Sequence, residues 1–229
     1  MKKMIIMAAG LLAACECGWA EDGFFSTKKS EEQVSVEFRG GLSVSQMAAV
    51  DDGASNKGYR RLGYNASAVI DIPVWVSLGF QTGVTFAQKG MNEEALVMGA
   101  MTKTKSNPGY LEIPLLASYR HAFKEKVQLQ VNAGPFLAMG VCGKFKTKQQ
   151  DALGNWQPTG EMDWFGGKND IQTAQFKRFD MGWHIGARLK FNDRVSLGYS
   201  YEAGFVDTAR NLGYKVKTRS HAVNLGLCF

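Results

Sequence analysis

Apolar and polar residues alternate with a period of two over most of this chain. From Val34 to Met47 the even positions read Val34, Val36, Phe38, Gly40, Leu42, Val44, and the odd ones Ser35, Glu37, Arg39, Gly41, Ser43, Ser45. A strand sends successive side chains to opposite faces, so this spacing predicts a strand with one apolar and one polar or small face. The same pattern recurs around Leu62–Ile72, Leu78–Phe86, Leu111–Tyr119, Val127–Val141, Phe179–Leu189, Val195–Phe205 and Val223–Phe229. Val69, Thr82 and Val206 interrupt it. Eight strands are therefore expected, all antiparallel.

The connections alternate as well. Those after the second, fourth and sixth strands are short ("PVW", "RHAFKEK", "NDR"). Those at about 49–61, 90–109, 147–178 and 207–218 are longer. An even number of antiparallel strands with alternating short and long connections predicts an all-β, eight-stranded, up-and-down transmembrane barrel with short periplasmic turns and long extracellular loops. One register follows from parity. If Phe191 pairs with Val195 across Asn192–Arg194, then Arg188 faces Gly198, His184 faces Glu202 and Gly182 faces Gly204.

A soluble barrel would alternate too, with its apolar face inward. The glycines decide between the two. Gly41, Gly63, Gly79, Gly83, Gly134, Gly182, Gly186, Gly198, Gly204 and Gly226 all fall on the polar face. A solvated surface has no use for glycines that weaken strands, whereas a narrow lumen needs small residues opposite large ones. The polar face is thus read as the lumen and the apolar face as the lipid side. Glu37, Arg39, Glu112, Asp180, His184, Arg188 and Glu202 are expected to form a buried lumen network, joined by Asp71, Lys89, Arg120 and Lys190. Charges of both signs must pair there, because isolated buried charge is costly. That argues against an open diffusion pore.

The N-terminus looks like a targeting segment. "MKK" precedes the apolar run Met4–Ala14, which is too short for a transmembrane helix. Gly18-Trp19-Ala20 fits a small-x-small cleavage rule and places cleavage after Ala20. "LAAC" (Leu12–Cys15) also resembles a lipobox, which would leave an acylated Cys15. The first reading is favoured because the remainder supplies its own anchor. The expected organisation is a signal peptide at 1–20, a short periplasmic segment at 21–33 and a barrel at 34–229. The formal charge of +6 comes without a long basic run, so a nucleic-acid partner is not expected. Beyond the signal only Cys142 and Cys228 remain, read as two small buried residues and not as a disulfide framework. The chain ends "SHAVNLGLCF". Val223, Leu225, Leu227 and Phe229 keep the lipid-facing parity, so this strand is expected to close on the first. Phe229 itself is expected to act as an assembly signal.

With the strands placed, "YLEIPLLASY" (Tyr110–Tyr119), "NAGPFLAMGVCGK" (Asn132–Lys144) and "FDMGWHIGARLKFNDRVSLGYSYEAGFVD" (Phe179–Asp207) resemble the PorT-like outer-membrane β-barrel proteins typical of Bacteroidetes. "GYNASAVIDIPV" followed by "LGFQTGVTFAQKG" is also similar. The resemblance covers nearly all of the chain after the signal; "YLEIPLL" is its most specific block. It implies a Gram-negative outer-membrane location and a small barrel, and little about activity. Pro114 lies within this block, where a tolerated bulge or kink is expected.

No phosphate-cradling glycine loop or zinc spacing occurs, and no cofactor or metal is expected. A lipid-modifying enzyme would use His184 as base, Glu202 to orient it and Ser200 as nucleophile, but these point into the lumen, away from lipid. A structural His184–Glu202 pair is preferred, and the chain is read as a non-enzyme. A narrow channel or small-ligand carrier is a further alternative. The better place for function is the loops. In the 147–178 loop, Lys144, Lys146, Lys148, Lys177 and Arg178 are candidates for lipopolysaccharide phosphates at the outer rim. Trp156, Trp164 and Phe165 are either part of a loop packed over the mouth or an exposed aromatic patch for a protein or glycan partner. Tyr64, Trp75, Tyr110, Tyr119, Trp183, Tyr199 and Tyr201 are expected in interfacial girdles. The expected partners are outer-membrane lipid, lipopolysaccharide and the assembly machinery.

Overall fold

The computed structural model describes residues 30, 33–51, 54–57, 59–97, 100–124, 127–151, 154–165, 176–209 and 215–229. The signal, lipobox and cleavage expectations, with most of the 21–33 segment, lie outside these residues. Thirteen strands occur among them: β1 (Ser35–Asp51), β2 (Ala54–Lys57), β3 (Arg61–Pro73), β4 (Leu78–Gln88), β5 (Asn92–Val97), β6 (Ala100–Ser106), β7 (Gly109–Lys124), β8 (Val127–Cys142), β9 (Lys144–Gln150), β10 (Trp156–Asp163), β11 (Phe179–Phe191), β12 (Val195–Gly204) and β13 (Lys215–Cys228). Eight of them form a closed antiparallel barrel in the order β1-β3-β4-β7-β8-β11-β12-β13, and β13 pairs back onto β1. Closure leaves no unpaired wall edge, as a hydrocarbon surrounding demands. No helix long and apolar enough to cross a membrane occurs among the described residues.

Parity is as expected. Leu42, Trp183, Ile185, Val223, Leu225 and Leu227 are exposed on the outside, whereas Glu37, Arg39, Asp71, Glu112, Asp180, Arg188 and Lys190 are buried inside. The β11–β12 hairpin has the expected register, with Phe191↔Val195, Arg188↔Gly198, His184↔Glu202 and Gly182↔Gly204. Its turn is set by Asn192 and Asp193, both at φ 53°, a left-handed conformation that Asn and Asp tolerate better than most residues. The lumen glycines are spacers. A Cβ on Gly198 would lie 2.8 Å from the Arg188 guanidinium carbon, and one on Gly204 would lie 2.9 Å from an Asp180 oxygen. A Cβ on Gly40, which faces lipid, would meet nothing within 4 Å.

One element is unanticipated and two expectations are corrected. Within the long connections, β5, β6, β9 and β10 form a second, four-stranded sheet in the order β10-β9-β6-β5. Its strands, such as "AMTKTKS" and "KFKTKQQ", pair by backbone while alternating lysine with small polar residues, so they carry no apolar stripe to read. Pro114 causes no register shift. The β7–β8 pairing continues from Pro114↔Phe136 to Ala117↔Ala133 in one register, and Leu115 and Leu116 pair with β4 on the other side. The two cysteines are free and neither is buried: Cys142 is exposed and Cys228 half-buried.

β1, β7 and β8 run to 17, 16 and 16 residues. About 9–11 tilted residues cross a bilayer. The strands therefore project well beyond it at the end carrying the long connections. There the inward side of the wall changes character. On β1 the inward series Ser43, Ser45 is followed by Met47; on β13, Ser220 and Thr218 give way to Val216. These join Tyr110, Phe136, Ala138, Trp164, Phe165, Phe176 and Ala209 in one buried apolar cluster, against which Met91 and Phe145 pack. Trp164 stacks on both Phe145 (4.2 Å) and Phe176 (4.0 Å), which also meet each other at 5.7 Å. Gly140 gives the Phe165 ring its place, since a Cβ there would collide with it. This is a lid over the lumen, pinned by reciprocal Ser45–Gly90 hydrogen bonds (2.9 and 3.0 Å) and by an Arg61 hydrogen bond to the Ser106 carbonyl.

Candidate functional site: a filled lumen and a cationic rim

Two ionic clusters fill the barrel. Near the short turns, Glu37 takes Arg39 at 2.7 Å and Arg188 at 3.1 Å, and Ser196 donates its hydroxyl to the same carboxylate. Asp71 lies between Lys190 (3.5 Å) and Arg120 (3.9 Å) and accepts a hydrogen bond from the Gln130 amide (2.6 Å). Toward the lid, Lys89 holds Glu112 at 2.6 Å and Glu202 at 3.0 Å. His184 Nδ1 meets the other Glu202 oxygen at 3.1 Å, and Thr218 donates to Asp180 at 2.7 Å. All seven residues expected in the lumen network are thus inside. They segregate: Arg39, Arg120, Arg188 and Lys190 outnumber acids near the short turns, while Glu112, Asp180 and Glu202 outnumber Lys89 near the lid.

Lys89 joins the two layers. Its Nζ lies 4.5 Å from the Phe136 ring centroid and 5.9 Å from that of Tyr110, beneath the lid, while its ion pairs reach the carboxylates below. The cavity left between the clusters has a volume of about 40 Å³ and is bordered by Arg39, Asn65, Glu112 and His184 among others. That is room for a few waters, not a solute path. Ser200 forms no hydrogen bond with His184; its cross-strand neighbours are Gly186 and Ala222. The His184–Glu202 pair is tied to Lys89, so the hydroxyl needed by a hydrolase is not engaged by the base.

The aromatic loop residues divide. Trp164 is 0% exposed and Phe165 is buried, so the reading in which the loop packs over the mouth holds for both; the exposed-patch reading keeps Trp156 alone. Tyr110 is likewise 0% exposed, under the lid, and is not a girdle residue. Tyr64, Trp75, Trp183 and Tyr199 do face outward.

The outside carries a second constellation above the apolar band. On β13 the outward series runs Phe229, Leu227, Leu225, Val223 and then His221, Arg219, Lys217, Lys215. On the second sheet Lys103 lies opposite Lys148 and Lys105 opposite Lys146. Like charges directly opposite on a sheet repel. The compensation is partial: Glu161 binds Lys144 (2.6 Å) and Lys146 (3.5 Å), and Glu94 pairs with Lys103. The hydrogen bond from Lys144 holds the Glu161 carboxyl below its ordinary pKa, and Glu161 in turn raises Lys144. Lys177 and Arg178 are exposed on the approach to β11; Lys177 donates to the Asp207 carbonyl (3.1 Å) and Arg178 stands over Phe165 at 5.6 Å. Of the five candidate rim cations, Lys144, Lys146 and Lys148 lie along β9, with Lys103 and Lys105 of β6 beside them, and Lys177 and Arg178 lie at the approach to β11; Arg60 and Arg219 are exposed at the other side of the barrel, by β3 and on β13. Arg60 and Arg219 escaped the sequence reading because they belong to strand ends that meet only when the barrel closes, and Lys103 and Lys105 because β6 carries no apolar stripe.

A closed eight-stranded antiparallel barrel with an apolar outside and a polar inside is a membrane barrel. Residues 25–210 match the family model described as "Outer membrane protein beta-barrel domain". The chain belongs to this family and is a protein of the Gram-negative outer membrane. It is similar in general build to Ail, the attachment invasion locus protein of Yersinia pestis, at 16% identity over 86% of this chain and 100% of that one, with a TM-score of 0.41. OprG from Pseudomonas aeruginosa is similar at 12% identity over 88% and 97% of the two chains, TM-score 0.40. Neisserial surface protein A is similar at 12% identity over 86% and 99%, TM-score 0.36. No curated protein matches the chain.

Proposed function

We propose that this protein is a non-conducting, non-enzymatic outer-membrane anchor that works through its outward-facing extracellular region. The observation that carries the reading is the combination of a lumen filled by paired charges and closed by the Trp164 lid with exposed lysines on the second sheet beyond it. A filled interior leaves the exterior as the place for recognition. In this reading the long-connection end faces outward, and Lys144, Lys146, Lys148, Lys177 and Arg178 meet lipopolysaccharide phosphates through charge-assisted hydrogen bonds. The half-exposed Trp156, with Lys103 Nζ at 5.5 Å from its ring, offers a contact for a protein or glycan partner in the 147–178 region. The narrower kinship with PorT-like proteins, supported by "YLEIPLLASY", belongs to this reading, as do a signal peptide ending at Ala20 and recognition of Phe229 by the assembly machinery. Phe229 is 77% exposed and packs edge-on against Phe38 at 6.0 Å, so its ring is presented outward.

Deleting Asp151–Asp170 does not isolate the loop's role, because it removes Trp164 and Phe165 from the lid. The sharper test is crosslinking and pull-down from native outer membranes with wild type and a K144Q/K146Q/K148Q/W156A variant. The variant should assemble normally and lose its lipopolysaccharide and partner crosslinks. Unchanged crosslinks in a correctly assembled variant would refute this reading.

A further inference from the structure

We propose that a phosphate-binding site for an outer-leaflet lipid lies on the outer wall at the β1–β13 seam, built by Arg60, Arg219 and His221. This rests on the outward orientation proposed above. The register places the residues in rows. Tyr201, His221 and Val44 are successive cross-strand neighbours on β12, β13 and β1, and Gln46 pairs with Arg219 in the next row toward the long connections. Arg60 immediately precedes β3, whose Arg61 pairs with Ser45. Together these side chains line an outward depression of about 340 Å³, at the low end of the ~300–1,000 Å³ spanned by small-ligand sites.

The chemistry of the lining is that of an anion site. Among the described residues, no carboxylate borders the depression and neither Arg60 nor Arg219 forms an ion pair with an acid. His221 Nδ1 is held by the Tyr199 hydroxyl at 2.7 Å, and the Tyr201 ring lies 4.8 Å from the imidazole. The ring is thereby oriented, with Nε2 left for a ligand. Two guanidinium groups match tetrahedral phosphate oxygens better than ammonium groups do, because their donors form planar forks.

Position selects the ligand's source. Leu42, Val223 and Tyr64 lie one row below the His221 row and face outward, in the apolar band. A group bound at Arg219 therefore sits at the boundary between hydrocarbon and water. Its natural occupant is the phosphate monoester of a lipid whose chains run down the wall past Leu42 and Val223. The site lies on the opposite side of the barrel from β7 and β8 and from the Lys103/Lys105/Lys146/Lys148 face above them. It is thus separate from the rim lysines.

The test is native mass spectrometry of the full-length protein purified from outer membranes in detergent, titrated with bis-phosphorylated lipid A and with lipid A stripped of phosphate. Wild type should prefer the phosphorylated form by about tenfold or more, and R60Q/R219Q should lose that preference, since charge-assisted forks are the main contacts removed. R219K, which keeps the charge and loses the fork, should fall between them and serves if the double variant misfolds. K146Q/K148Q should retain the preference. Equal binding of both lipids by wild type, or an undiminished preference in R60Q/R219Q, overturns the site. If K146Q/K148Q loses binding instead, the rim reading survives and the seam site falls; if neither variant changes, both fall. Displacement of lipid A by millimolar inorganic phosphate with equal retention of phosphate by the protein would assign the pocket to free phosphate and overturn the lipid.

Discussion

The same strands run through two regions with opposite burial rules. In the spanning part, β1 buries Glu37, Arg39, Ser43 and Ser45 and exposes Phe38, Leu42 and Val44. A few residues on, it buries Met47 with the rest of the lid. β13 makes the same change, exposing Val223, Leu225 and Leu227 and then burying Val216 beneath exposed Lys215. The backbone does not change at this boundary; the solvent does. Where hydrocarbon surrounds the wall, apolar side chains face outward and every inward polar group must find a partner. Where water surrounds it, the ordinary hydrophobic effect turns aromatic residues inward and lysines outward. The barrel is sealed at the level where one rule replaces the other.

The contrast predicts that damage below the boundary destabilises the barrel and damage above it stays local. The largest effect is expected for Lys89→Met, which strands Glu112 and Glu202 in the lumen. Losing one member of a buried ionic network costs about 3–5 kcal/mol. Urea titration in lipid vesicles, followed by heat-modifiable gel mobility, measures it. A loss under ~1 kcal/mol would mean that the lumen is wetter than its 40 Å³ cavity implies.

Next comes Gly198→Val, whose Cβ would press on Arg188. Overpacking of this kind costs about 1–3 kcal/mol. Gly40→Val, on the lipid face with open space, should stay within about 0.5 kcal/mol of wild type in the same assay. Equal costs at both glycines would break the inside-outside distinction.

Above the boundary, Trp164→Ala removes the ring that stacks on Phe145 and on Phe176. Its urea midpoint should match wild type, while protease added to intact cells should cleave the 143–178 connection faster. A barrel that unfolds earlier would make the lid part of the barrel's own core. The smallest effect is expected for Glu161→Gln, on the water-exposed sheet. Lys144 and Lys146 depress the Glu161 carboxyl, so its contribution is present above the unfolded carboxyl pKa and is lost as pH falls through the lower folded one. Wild type and E161Q should converge in acid, and even at neutral pH their barrel midpoints should be indistinguishable, because an exposed pair contributes little.

How much of this was legible follows from the same boundary. Period-two alternation, lumen glycines and the "NDR" turn were enough to place eight wall strands and to predict the Arg188–Gly198 and His184–Glu202 contacts, because in hydrocarbon the pattern is strict and register is parity. Above the bilayer the strands lose their apolar stripe: "KFKTKQQ" and "AMTKTKS" alternate charge with threonine or glutamine, a pattern equally suited to a solvated loop. The lid brings together Met47, Tyr110, Phe145, Trp164, Phe176 and Val216 from segments far apart in sequence, so Tyr110 resembled a girdle residue and Trp164 could be placed neither over the mouth nor on the surface. The Arg60–Arg219–His221 depression exists only because the last strand closes on the first.

The most direct test of the account is planar-bilayer conductance of the purified protein, wild type beside Trp164→Ala. A lumen filled by the Glu37–Arg188 and Lys89–Glu112–Glu202 clusters predicts that neither passes current above the bare-membrane baseline, even with the lid opened. Stable, stepwise conductance in both proteins would contradict it and make this barrel an open channel; conductance in Trp164→Ala alone would contradict it too, and would make the lid a gate.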